Sequence, residues 1–277
     1  MSHESLPRHI SVFSDVDSAD AGSLMAIIYL IRLNKVPAIK EYKQRARELL
    51  DPQPGESILD VGCGTGEGLR AIYSYTQSIG SLVGIDKSNA LIAESINSTS
   101  KELLTAGKFI YQQGDAHKLS FEDGRFDATY ADRTFQHLDN PDQAFREMLR
   151  VTKRGGRILI ADTDWTTLQL AGISAETAEK IKLAHLNIVL NPQMGGRLKE
   201  LFSKQDLIDI KVARMSIEMP DFETIQTVLT PHSSLELASK NGAISTEDVQ
   251  QSLEEVRGAK ESIKGSFNVY IVKGVVR

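Results

Sequence analysis

The sequence contains a single cysteine, Cys63, among 277 residues. One cysteine excludes an internal disulfide framework and any metal site built from several cysteines, and it favours a reducing compartment. The most apolar stretch, residues 21–33, is shorter than the roughly 20 residues that a membrane-spanning helix needs. Acidic residues outnumber basic ones, which gives a net charge of −5. The composition therefore lacks the excess of basic residues that is typical of nucleic-acid-binding proteins. We therefore expect a cytoplasmic protein with neither a membrane nor a nucleic-acid partner.

Short apolar strands alternate with helical segments through the middle of the chain. The predicted strands start at Ser57, Ser81, Lys108, Arg125 and Arg157. Strands that alternate with helices of 10–15 residues indicate a parallel, doubly wound α/β sheet. The fold class that we predict is therefore α/β.

Capping residues and apolar periodicity predict helices on both sides of this region. Helices are expected from about residue 18 to 33, from 37 to 50, and from 88 to 105 with Ser88 as the N-cap. A helix is expected from Asn140 to about Thr152, with Gly155 and Gly156 ending it. Near the end of the chain, two helices are predicted between residues 222 and 263, between a strand at 207–217 and a closing strand from Ser266.

A glycine-rich loop follows the first predicted strand and precedes a helix. Its glycines alternate with other residues, at Gly62, Gly64, Gly66 and Gly68. Glycines allow a sharp turn and a close approach of backbone to ligand, and the helix N-terminus behind them favours an anionic group. The spacing does not fit the dinucleotide fingerprint G-x-G-x-x-G, because both possible reading frames place a residue other than glycine third. The loop therefore disfavours an NAD(P)-dependent oxidoreductase.

The run Asp60-Val-Gly-Cys-Gly-Thr-Gly resembles the first S-adenosylmethionine-binding motif of class I methyltransferases. The resemblance implies that Asp86, at the end of the second strand, accepts hydrogen bonds from the ribose hydroxyls. It also implies that Asp115 and the backbone of Ala116 hold the adenine, and that the carbonyl of Ala131 meets the methionine amino group. The cofactor-binding residues that it implies are Asp60, Gly62, Gly64, Thr65, Gly66, Asp86, Lys87, Asp115, Ala116 and Ala131.

Further stretches resemble the ubiquinone/menaquinone C-methyltransferase-like branch of the family. They are residues 131–138, 144–157, 161–165 and the closing strand. The resemblance implies a Rossmann-like sheet of seven strands, mostly parallel with an antiparallel last strand. It also implies a small organic acceptor, such as a specialised metabolite or an isoprenoid or quinone-like compound.

Two regions exceed the minimal fold of this family. We predict an N-terminal helical cap at 1–36, a cofactor-binding core at 37–218 and 265–277, and a helical insertion at 219–264 that acts as a lid over the substrate pocket. Insertions at this rim of the sheet usually build the acceptor pocket. Both regions could instead form an oligomer interface, and the apolar N-terminal helix predicts a homo-oligomer.

Two residues after the fourth strand are the catalytic candidates. His137 is a candidate base, since an imidazole with a pKa near neutral suits proton transfer, and Arg133 is a candidate for orienting an acceptor oxygen. Packing of His137 in a short helix and an ion pair of Arg133 are the alternatives. No histidines or carboxylates have a spacing that predicts a metal site.

The predicted function is transfer of a methyl group from S-adenosylmethionine to a carbon, oxygen or nitrogen of a small acceptor. The main alternative is a protein that binds S-adenosylmethionine without methyl transfer, either a regulator or a cyclase that this molecule assists. An NAD(P)-dependent oxidoreductase is the less favoured alternative. The sequence does not distinguish among the acceptor atoms.

Overall fold

The structure is a computed structural model that describes residues 13, 16–18 and 22–277. Its described residues form one seven-stranded sheet, in the order β3-β2-β1-β4-β5-β7-β6. The strands are β1 (Ser57–Val61), β2 (Ser81–Asp86), β3 (Phe109–Gln113), β4 (Phe126–Asp132), β5 (Thr152–Ala171), β6 (Leu207–Met219) and β7 (Lys264–Val276). Neighbours from β3 to β5 pair in parallel, whereas β7 is antiparallel to both β5 and β6. The predicted α/β sheet with an antiparallel last strand is confirmed.

Helices connect the strands and cover both faces of the sheet. They are α1 (Gly22–Leu33), α2 (Pro37–Leu50), α3 (Glu67–Tyr75), α4 (Asn89–Asn97), α5 (Lys101–Thr105), α6 (Pro141–Val151), α7 (Ala175–Ile188), α8 (Met194–Ser203), α9 (Phe222–Leu229), α10 (Pro231–Lys240) and α11 (Thr246–Gly258). Part of the predicted helix at 18–33 lies at residues 19–21, outside the described residues, as does most of the predicted cap before residue 22. None of the described helices is both long enough and apolar enough to cross a membrane.

The expected single helix from Ser88 to Thr105 is instead two helices. Ser88 caps α4 as predicted, since its side chain accepts a hydrogen bond from the backbone N–H of Leu91. The chain then leaves the helix at Ser98, and Ser100 caps α5 by accepting from the backbone N–H of Leu103. A run of Ser and Thr side chains competes locally for backbone groups, and this explains the break.

Three other predictions are wrong in detail. Residues 222–258, all of them described, contain three helices rather than two, because Thr230 adopts a left-handed conformation (φ 43°) and Pro231 starts a new helix. The helix after Asn140 ends at Val151, close to the predicted end, but Gly155 and Gly156 lie within β5. The sequence predicts that the fifth strand ends at Ala161, whereas β5 continues to Ala171 because β7 pairs with it that far.

Apolar side chains of the described strands divide into two clusters by alternation along each strand. Ile58 and Tyr130 belong to one cluster, together with Tyr42 of α2. Leu59 and Ile85 belong to the other, together with residues of α6. Since successive strand residues point to opposite faces, the helices pack on both sides of the sheet. The carboxyl ends of β1, β2, β3 and β4 therefore meet at one edge, where open α/β sheets hold ligands.

Candidate functional site

The glycine loop leaves β1 and is attached to the end of β2. The backbone N–H groups of Gly62 and Cys63 both donate to the carbonyl of Ile85, at 2.8 and 2.9 Å. Gly62 and Gly64 have φ values of 76° and 54°, in the left-handed region that side chains disfavour. A Cβ on Gly62 would overlap the Thr134 side chain. The loop therefore requires glycine at Gly62 for both its conformation and its close packing.

Behind the loop, α3 begins without a side-chain cap. Its N-cap is Gly66 (φ 73°), and no side chain in the described part of the chain caps its first turn. Asp60 lies beneath, buried on β1, where a Cβ on Gly68 would be 3.1 Å from its Oδ2 atom. Burial and then the neighbouring Asp132 raise the pKa of Asp60 well above its usual range. The N–H groups in the first turn of α3, which have no side-chain cap, suit an anionic group, and Asp60 supports the loop from below.

Asp86 ends β2 with both carboxylate oxygens bonded to the backbone. Its Oδ2 accepts from the N–H of Gly64 at 2.9 Å, and its Oδ1 accepts from the N–H of Ser88 at 3.0 Å. Burial raises its pKa despite these bonds. A carboxylate has about four lone-pair positions, so each oxygen can accept one further hydrogen bond. Because Ser88 rather than Asp86 caps α4, the Asp86 carboxylate can still accept hydrogen bonds from a ligand with two adjacent hydroxyls.

Asp17, which the sequence analysis missed, attaches the N-terminal segment beside Asp86. Its carboxylate accepts from the Ser88 hydroxyl at 2.5 Å and from the backbone N–H of Asn89 at 2.7 Å. These bonds lie at the N-terminus of α4, where a negative charge is stabilising. No local pattern in the sequence signals this contact, since 71 residues separate Asp17 from Ser88.

Asp115 follows β3 in a tight turn. Its Oδ1 accepts from both the backbone N–H and the Nδ1 of His117, at 2.8 and 2.7 Å. Although burial acts in the other direction, these bonds lower the pKa of the Asp115 carboxyl. The imidazole of His117 in turn accepts from the N–H of Asn140 through Nε2. Asp115 is therefore ionised at neutral pH, and its second oxygen has acceptor capacity for an amine.

A cavity of about 230 Å³ opens where these strand ends meet. Eight of the predicted site residues line it, namely Gly62, Gly64, Asp86, Lys87, Asp115, Ala116, Arg133 and His137. The other four, Asp60, Thr65, Gly66 and Ala131, do not. Ala131 is fully buried within β4, which continues to Asp132. The structure thus brings most of the predicted residues to one space and puts the other four behind it.

A buried ion network forms one wall of the cavity, and sequence reasoning missed it. Asp132 accepts from the Tyr42 hydroxyl at 3.0 Å and pairs with the Nζ of Lys43 at 3.1 Å. Lys43 also pairs with Glu67, at 3.2 Å. Burial disfavours the ammonium of Lys43, but the two carboxylates outweigh it and raise its pKa. Asp132 lies within the stretch that carries the family resemblance, whereas no sequence signal singles out Lys43.

Arg133 lies in the cavity wall next to aromatic rings. Its Nη2 donates to the Tyr29 hydroxyl at 3.3 Å, and its guanidinium carbon lies 5.7 Å from the ring centre of Trp165. Its own backbone is left-handed, with φ 54°. None of these contacts is the ion pair considered in the sequence analysis.

His137 lies in a short 3₁₀ helix (Phe135–His137), and its ring centre is 5.2 Å from that of Phe13. Burial, and then the charges of Arg133 and His185, lower its pKa to about 3. The assumption of a pKa near neutral is therefore wrong, because it neglected burial beside a guanidinium. His137 is therefore neutral at pH 7, and it is a weak base as long as no anion offsets the charge of Arg133. Among the described residues, no group of three His, Cys, Asp or Glu side chains could hold a metal ion.

Comparison with known proteins identifies sequence relatives over about half of the chain. A family model for a methyltransferase domain matches residues 52–206, more than half of the chain. An O-methyltransferase of Pyrenophora dematioidea is 38% identical over 113 residues, which cover 41% of this chain and 41% of that protein. A demethylmenaquinone methyltransferase of Bacillus cereus is 29% identical over 129 residues, which cover 47% of this chain and 54% of that protein. The chain thus spans about half the length of these curated relatives.

Solved structures share the fold over nearly the whole chain. Phosphoethanolamine N-methyltransferase 2 of Haemonchus contortus, solved in complex with S-adenosyl-L-methionine, is similar with a TM-score of 0.60 at 18% identity. The likeness covers 96% of this chain and 60% of that chain. At such low identity it is a likeness of fold alone.

Proposed function

This chain belongs to the class I methyltransferase family, and on that premise we propose that it transfers a methyl group from S-adenosylmethionine to a small organic acceptor. One observation carries the proposal. The glycine loop, Asp86 and Asp115 follow three different strands, yet all of them line the same cavity. A cavity lined by the backbone of a glycine loop and by two acidic side chains fits the carboxylate, ribose and adenine of the family's cofactor.

The chain's own groups match the polar parts of this cofactor. The N–H groups at the start of α3, behind Gly66, suit its carboxylate. The two oxygens of Asp86 suit the ribose hydroxyls, and the ionised Asp115 with the backbone of Ala116 suits the adenine. Lys87 lines the same end of the cavity, next to Asp86. In our proposal Asp60 and Thr65, which lie behind the loop, support its shape rather than contact the ligand.

When bound, S-adenosylmethionine supplies a methyl group on a sulfonium, which departs as a neutral thioether without protonation. The protein therefore has to orient the acceptor and exclude water more than it has to move protons. Phe13, Tyr29, Leu30 and Leu33 provide an apolar wall for this purpose. His137 lines the same cavity and is neutral at pH 7.

The N-terminal helix and the insertion act, in our proposal, as a cover over the acceptor. The hydroxyl of Tyr29 in α1 donates to the carbonyl of Val228 in α9, at 3.3 Å. This bond joins α1, which lines the cavity, to α9, which does not. The relatives named as an O-methyltransferase and a demethylmenaquinone methyltransferase direct the search towards hydroxylated aromatic and quinone-like acceptors. Homo-oligomerisation through α1 and a cytoplasmic location stay predictions.

The experiment is to incubate the protein with S-adenosylmethionine and a panel of phenols, hydroquinones and amines. S-adenosylhomocysteine and the methylated product are then measured together by mass spectrometry. We expect S-adenosylhomocysteine to form only where an acceptor is methylated. Tight binding of S-adenosylmethionine with no transfer to any member would instead support the alternative of a binding protein without methyl transfer.

A further inference from the structure

Arg133 is a buried cation with an incomplete set of partners. Its Nη1 atom is buried and has no hydrogen-bond partner among the described residues. The bond that its Nη2 makes goes to Tyr29, which is a neutral hydroxyl. Arginine stays protonated in proteins, so the cavity wall contains a full positive charge.

The nearby carboxylates are bonded to other groups. Asp132 is paired with Lys43 and accepts from Tyr42. Asp162 accepts from the backbone N–H groups of Gln136 and Thr163, at 3.0 and 2.8 Å. A buried charge without a counter-ion is costly, and an anion that reaches it gains what the protein itself does not supply.

The other polar groups around Arg133 are neutral. The His185 ring is buried, lies 4.1 Å from the Trp165 ring between centres, and has an Nδ1 without a partner. Burial and Arg133 lower the pKa of His185 to about 3, as they do for His137. Among the described residues, Arg133 therefore has no carboxylate in direct contact, although Asp132 attracts it at longer range, and the rings packed behind it are neutral.

The backbone of Arg133 is held in a strained conformation. Its φ of 54° lies in the left-handed region, where a residue with a long side chain is disfavoured. Its N–H donates to Ala161 at 2.8 Å, and its carbonyl accepts from the side chain of Gln136 at 3.3 Å. Strain that surrounding bonds maintain is concentrated at ligand-binding sites. This geometry holds the guanidinium in the cavity wall.

We infer that the acceptor is an aromatic anion, whose carboxylate or ionised phenol pairs with Arg133. The inference rests on the proposed function and specifies its substrate class. The rings of Phe13 and Tyr29, which line the cavity, provide apolar contacts for the rest of such a molecule. The carboxylate of the cofactor is the other possible source of an anion. We assign Arg133 to the acceptor, and binding of S-adenosylhomocysteine to an Arg133 variant distinguishes the two sources.

The test uses protein saturated with S-adenosylhomocysteine and calorimetric titration. The probes are benzoate, 4-hydroxybenzoate and 2-naphthoate, each beside its neutral amide. We expect at least one acid to bind tenfold or more tightly than its amide. The preference should be lost in Arg133→Met, kept in part in Arg133→Lys, and unchanged in Arg154→Met, which removes an exposed arginine outside the cavity.

A second measurement needs no variant. Binding of the preferred acid should raise the pKa of His137, followed by NMR of its ring carbon, because the anion offsets the charge of Arg133. The absence of any acid preference, or a preference that survives Arg133→Met, would overturn the inference. Tenfold weaker binding of S-adenosylhomocysteine to Arg133→Met would assign Arg133 to the carboxylate of the cofactor and would also overturn the inference. Failure of the wild-type protein to bind S-adenosylhomocysteine would instead contradict the proposed function.

Discussion

The burial of neutral His185 makes a quantitative prediction about stability and pH. Its pKa falls from 6.5 to about 3 on folding, because burial and then Arg133 disfavour the imidazolium. Below pH 6.5 the unfolded chain therefore binds a proton that the folded chain does not. The stabilisation is complete above about pH 6.5 and is lost progressively as the pH falls towards 3.

The size of the effect follows from about 1.4 kcal/mol per pH unit. At pH 5 the folded protein should have lost about 2 kcal/mol of unfolding free energy through His185 alone. His137 acts in the same direction. Asp162 acts in the opposite direction, since burial raises its pKa to about 7 and its folded form takes up a proton first. Only a comparison with a variant isolates the part that His185 contributes.

The variant is His185→Phe, which keeps an aromatic ring against Trp165 and cannot be protonated. Urea unfolding at pH 7.5 and pH 5.0 gives the loss of unfolding free energy for each protein. We expect the loss to be about 2 kcal/mol smaller in the variant than in the wild type. His232→Phe, at an exposed histidine, is the control and should lose as much as the wild type. Equal losses in wild type and His185→Phe would refute the assignment of a low pKa to buried His185.

Two further predictions concern the glycine loop and Asp17. Gly62→Ala adds backbone strain of about 1–2 kcal/mol and a clash with Thr134, so unfolding free energy and S-adenosylhomocysteine affinity should both fall. Gly55→Ala is the matched control, with φ 81° and open space, so ligand affinity should stay unchanged there. Asp17→Ala removes the acceptor for the Ser88 hydroxyl and should cost about 1 kcal/mol in a thermal melt. An unchanged melting temperature would contradict the attachment of the N-terminal segment.

The central part of the fold could be predicted from the sequence because its signals are local. Each strand from β1 to β4 is a short apolar run that turn and capping residues delimit. The conformation of the glycine loop depends on glycines that are close together in the sequence, so the motif can be recognised without knowledge of the fold. Ser88 was predicted as a cap for the same reason.

The differences arise where distant parts of the chain decide the outcome. The length of β5 depends on β7, about a hundred residues further along, which no window around residue 165 contains. Lys43 and Asp132 meet only because α2 packs against the end of β4. The low pKa of His137 likewise depends on burial, which its neighbours in sequence do not reveal. Capping and turn signals thus predicted the loops that line the cavity, and packing determined the charges there.

The central claim is that the cavity binds S-adenosylmethionine with its ribose on Asp86. The most direct measurement is calorimetric titration of S-adenosylmethionine, S-adenosylhomocysteine and NADH into the wild type, Asp86→Ala and the exposed control Asp206→Asn. We predict micromolar binding of both S-adenosyl compounds to the wild type and the control, loss of that binding in Asp86→Ala, and no binding of NADH. Absence of binding to the wild type, or unchanged binding in Asp86→Ala, would contradict the account.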